Sequence, residues 1–95
     1  MGPVERERAI EDEQRRARQL RALVDLTRSI LIQEPMSRRE AEDLVALTRA
    51  QALRLFPDGA DTFDLVLAPR FRRVIDEFLR PRPARVLPFR RKRGR

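Results

Sequence analysis

Prolines and glycines fall at Pro35, at Pro57 and Gly59, and at Pro81 and Pro83, and so cut the chain into intervals too long for strands. Residues 4–33, 37–55 and 61–79 are rich in Ala, Leu, Arg and Glu with little β-branched content, which is the composition of helices. The spacing predicts an all-α fold: a small bundle of three main helices with a long first helix, a capped second helix and a third kinked by an internal proline. A basic C-terminal tail, expected to be disordered, follows them.

In the first segment Ile10, Ala17, Val24 and Leu31 recur every seven residues, with Leu20 and Thr27 at the other seam position. Ile10, Ala17, Leu20, Val24 and Leu31 are therefore the candidate seam, serving either packing within the chain or a homodimer contact with a second copy. Glu13 interrupts the seam early. Acid-before-base pairs one turn apart, Glu11 with Arg15 and Asp12 with Arg16, are each worth about 0.3 kcal/mol on an exposed helix. Residues 1–19 are thus expected to form a charged projecting half of the first helix, and residues 20–79 the helical core. From Leu20 onward Leu23, Leu26, Ile30 and Ile32 make the helix apolar nearly all round, so it needs burial on more than one side.

Pro35 ends the first helix, and Ser37 with Glu40 three residues later is the spacing of a capping box, in which each side chain satisfies a free amide of the other residue. The second helix then carries Ala41, Leu44, Val45, Leu47, Thr48, Leu55 and Phe56 on a broad stripe and ends near Leu55 before the Pro57–Asp58–Gly59 turn. Asp61 or Thr62 should cap the third helix, with Asp64 in its first turn beside the positive dipole end. Phe63, Val66, Leu67, Phe71, Val74, Ile75 and Phe78 are expected on one face. Pro69 lies inside this pattern, so the helix must kink there or restart with Pro69 in a first-turn position, and an unbroken stripe favours the kink.

The chain has no histidine, cysteine or tyrosine, which removes imidazole and thiolate nucleophile systems, thiolate metal sites and most hydrolase designs. Glycines at 2, 59 and 94 are too scattered to cradle a phosphate. Asp58, Asp61 and Asp64 could offer oxygen ligands to a hard cation, but turn, cap and dipole roles account for them. Glu11–Glu13 and the acids at 40, 42 and 43 suit first-turn or solvated positions. The expectation is a non-enzymatic protein with no catalytic residues, no metal and no cofactor.

Leu20–Ile32, the longest mostly apolar stretch, is interrupted by Arg21, Asp25 and Arg28, and residues 1–13 have neither a basic start nor an apolar run, so neither a membrane span nor a signal peptide is expected. A cytoplasmic location fits. Lys92 is the sole lysine beside twenty-one arginines, a bias that points to a GC-rich, bacterial coding genome.

Charge is unevenly placed. Residues 1–79 hold 14 basic and 15 acidic groups, whereas residues 80–95 hold 8 basic and none acidic. Nucleic acid, DNA or RNA, is the expected partner of such a segment, gripped through the phosphate backbone by Arg80, Arg82, Arg85, Arg90, Arg91, Lys92, Arg93 and Arg95. Phe89 is the only aromatic residue there and no recognition motif is visible, so binding should not be sequence-specific. Arg70, Arg72 and Arg73 could extend the basic surface, or be partly neutralised by Asp76 and Glu77 one turn on. The competing reading is a helical protein–protein adaptor whose tail is incidental or docks a protein partner through its extended RVLPF piece. An anionic membrane, against which Val86, Leu87 and Phe89 could wedge, ranks below both.

Overall fold

A computed structural model describes residues 2–79, and the eight tail cations predicted to bind nucleic acid lie outside the described residues. The fold is all-α, three rods packed so that each touches the other two. α1 spans Pro3–Gln33 and α2 spans Arg38–Leu55. The third rod begins with one turn, α3 (Ala60–Thr62), widens into a π turn at Phe63–Leu67, and continues as α4 (Ala68–Phe78).

Local chemistry sets the boundaries. Pro3 occupies the first position of α1, where its missing N–H costs nothing, and the Gly2 amide donates to the Glu5 carboxylate. α1 ends where Glu34 turns to extended backbone ahead of Pro35. At α2 the predicted capping box is formed: the Glu40 amide donates to Ser37 Oγ at 3.0 Å, and the Ser37 amide donates to Glu40 Oε1 at 2.8 Å. The backbone hydrogen bond from Ser37, with the side-chain bond second, holds the Glu40 carboxyl below its usual range. After Leu55 the chain reverses in a turn closed by the Gly59 amide on the Phe56 carbonyl at 2.9 Å. A Cβ at Gly59 would sit 3.1 Å from that carbonyl oxygen, so the tight turn favours glycine there.

The third rod differs from expectation at two points. Its N-cap is Gly59 with no side-chain bond, and Asp61 and Thr62, the predicted caps, lie inside the first turn because the helix starts earlier, at Ala60. The break expected at Pro69 takes the form of the π turn just upstream, which leaves Pro69 in the first turn of α4 where no amide is needed. Five residues in that turn shift the phase of the apolar stripe. Phe63, Phe71 and Ile75 are buried, but Val66, expected on the same face, is exposed, as is Leu65; Phe78, in phase with Phe71 and Ile75, is exposed at the end of α4.

The core comprises Leu31 from α1, Ala41 and Ala52 from α2, and Phe63, Phe71 and Ile75 from the third rod. Two buried alanines on α2 let its backbone come close to its neighbours, and the Phe63 and Phe71 rings, 6.2 Å apart and tilted by 41°, fill the space beside them. One polar contact lies inside. Thr27 of α1 and Thr48 of α2 are 2% and 3% exposed, and their hydroxyl oxygens are 2.7 Å apart. Each hydroxyl is also 2.9 Å from the carbonyl one turn back, Leu23 for Thr27 and Leu44 for Thr48. Each carries a single proton, so one hydroxyl donates to its own helix while the other donates across the interface. That contact pins the register of α1 on α2 in an otherwise apolar seam.

All of residues 3–19 are exposed. α2 has 18 residues against the 31 of α1, so the start of α1 extends past the bundle as an arm. Thirteen unmatched residues correspond to about 20 Å of helix.

Candidate nucleic-acid interface and an apolar groove

Two ion pairs join helices of the bundle. Arg49 on α2 reaches Asp64 on the third rod with two nitrogens, at 2.8 and 3.1 Å. This fork lowers the Asp64 carboxyl, chiefly through the hydrogen bond from Arg49, and raises the Arg49 guanidinium for the same reason. Asp64 therefore ties two rods together rather than merely facing a helix dipole. Arg38 at the start of α2 donates to Asp76 of α4 at 2.8 Å.

That second pair changes the charge of α4. Asp76, expected to offset the arginines one turn before it, is turned toward Arg38, and among the described residues neither Arg72 nor Arg73 forms an ion pair. Arg70, Arg72 and Arg73 are all exposed around the buried Phe71. The nine steps from Arg70 to Leu79 cover about 14 Å of helix, so these cations lie within about 14 Å of the last described residue.

The arm has its own pairing. Arg15 bonds Asp12 at 2.8 Å, three residues away, in place of the predicted Glu11–Arg15 contact. Arg16, expected to pair with Asp12, instead lies over the Phe56 ring at 5.8 Å from its centroid, because α2 ends beside it and offers an aromatic face. Below Arg16 an open groove of about 690 Å³ runs between α1 and the α2–α3 turn, floored by Leu20, Ala52, Leu53, Phe56, Phe63 and Leu67 and edged by Arg54 and Asp58. The sequence pattern gave no sign of it, since its walls come from three separate elements.

The candidate seam divides between two environments. Leu31 is buried, and Leu20 and Val24 are half-buried against the core, whereas Ile10 is 52% exposed and Ala17 is exposed. Among the described residues no three carboxylates come together to hold a metal ion, and Asp58 and Asp61 sit in the turn and first turn already noted. No helix of the described residues is long and apolar enough to cross a membrane. The chain matches no protein-family model, no curated protein and no solved structure. The functional reading rests on its residues alone.

Proposed function

We propose that this chain is a small non-enzymatic accessory or regulatory protein whose helical body positions a nucleic-acid anchor, residues 80–95. The observation that carries the reading is the separation of charge: a body with 14 basic and 15 acidic groups is joined to a segment with 8 basic and none acidic. Eight cations with no internal counter-charge attract a polyanion, and arginine forks match phosphate oxygens. The exposed Arg70, Arg72 and Arg73 add phosphate contacts at the root of the segment. Contacts of this kind fix position on a backbone without reading bases, so affinity should be nearly independent of sequence.

Anisotropy titrations of labelled duplex DNA and single-stranded RNA test this, with the full chain compared to a chain ending at Leu79. The expected result is tight binding by the full chain at low salt and a loss of at least a hundredfold on truncation. Equal affinity of the two chains would refute the proposal. The adaptor reading draws on the apolar groove below Arg16; it predicts that function survives loss of residues 80–95 and is abolished by Phe56→Asp or Leu20→Asp.

A further inference from the structure

The arm of α1 is unpartnered, and its charges are sorted along its length. Residues 5–13 contain five acids and two arginines, and residues 15–21 contain four arginines and no acid. Among the described residues the only ion pair of the arm is Arg15 with Asp12, so most of this charge has no partner within the chain. Glu7, Ile10, Gln14, Ala17 and Arg21 follow alternating steps of three and four and share one side of the helix. All five are exposed, and the same steps continued along α1 reach Val24 and Leu31, where the stripe enters the bundle.

We propose that the occupant of this face is the arm of a second copy, running antiparallel. The proposal does not depend on the nucleic-acid reading. With a two-fold axis beside Gln14, the acidic stretch of each arm lies on the basic stretch of the other. Gln14 then meets Gln14 of the second copy, Ile10 lies against the smaller Ala17, and Glu7 faces Arg21. A parallel pair is disfavoured because it puts acid on acid and arginine on arginine along the whole arm. This arrangement replaces the seam suggested by the seven-residue repeat: Leu20, Val24 and Leu31 belong to the bundle, and only Ile10 and Ala17 remain for the second copy.

Sedimentation of the full chain, free of nucleic acid, tests the proposal. A dimer is expected at about 50 mM salt, with at least a tenfold weaker association at about 500 mM because the attraction is between exposed charges. The E11R/D12R/E13R and R15E/R18E/R21E chains should each be monomeric at concentrations where the native chain dimerises, with unchanged helical circular dichroism. Mixed in equal amounts, they should dimerise again. Because the chain has no cysteine, orientation can be read directly: Gln14→Cys should form a disulfide-linked dimer and Val4→Cys should not. A native chain that stays monomeric at low salt, reversed chains that fail to associate on mixing, or crosslinking at Val4→Cys as fast as at Gln14→Cys would each overturn it.

Discussion

Residues 3–19 and 20–33 belong to one unbroken helix, yet every side chain of the first stretch is exposed, while Thr27 and Leu31 of the second are 2% and 1% exposed. The bundle half is held by tertiary packing, which orders its backbone whatever the local propensity. The arm has only Ala, Arg, Glu and Gln propensity, a proline-led start, and continuity with a helix already formed. Similar backbone therefore rests on different physics, and substitutions should have very different costs in the two halves.

The largest contrast comes from truncating apolar side chains. Phe71→Ala should destabilise the bundle by about 3–5 kcal/mol, because the residue is 2% exposed and packed against Phe63. Ile10→Ala should cost under about 0.5 kcal/mol in the monomer. Denaturant unfolding, at a concentration too low for association, measures both, and a large effect at Ile10 would erase the distinction between arm and bundle.

Next in size is the register contact. Thr27→Val and Thr48→Val should each cost about 1 kcal/mol, and the double variant should cost less than their sum, since the first substitution already removes the shared bond. Strict additivity in a double-mutant cycle would show that the 2.7 Å contact contributes nothing. Loss of the α2 cap in Ser37→Ala should cost about 1 kcal/mol, where the same substitution at exposed Ser29 should be close to neutral.

The smallest effect concerns acid. Glu40 and Asp64 both have lowered carboxyl pKa values in the folded chain, so their stabilisation is fully present above the ordinary carboxylate range and is lost as pH falls through the lowered values. Unfolding midpoints should be flat down to about pH 5 and fall below about pH 4. Asp64→Asn should reduce that fall, and an unchanged acid slope would show that the Arg49 fork adds no stability.

Much of this architecture is legible in the sequence. Ser37 with Glu40, and the prolines at 35 and 57, fix the ends of α1 and α2 through strictly local chemistry. The third rod is less legible, because a π turn adds a residue to one turn and leaves no periodic signature, so Val66 falls off the expected face, whereas Phe78 stays in phase with Phe71 and Ile75 and is exposed because the helix ends there. The cross-helix ion pairs were open to inference. Arg38 and Asp76 lie equally far in sequence from Pro57, and Arg49 and Asp64 are nearly so, as a hairpin folded at that turn requires. The groove was not, since it depends on how three elements meet. The basic segment, the candidate site itself, was read wholly from composition.

If the arms pair as proposed and residues 80–95 bind nucleic acid, the two readings meet in one geometry. The end of α4 lies beside Leu31 and Met36 at the far end of α1, so an axis at Gln14 puts the two α4 ends, to which the segments are joined, about 57 Å apart. That distance is about 17 base pairs of duplex. Duplexes longer than this should bind with an avidity that 10-base-pair duplexes lack, and the arm-reversed chains should lose that advantage while keeping their affinity for short duplexes.

The central claim is that residues 80–95 grip phosphate, and the salt dependence of duplex binding by the full chain tests it most directly. Eight phosphate contacts from residues 80–95, with up to three more from Arg70, Arg72 and Arg73, predict a slope of log K against log salt of about −7 to −10, made shallower by about one for each arginine replaced by glutamine. A slope near zero, or one unchanged when Arg90, Arg91 and Arg93 are replaced together, would contradict it.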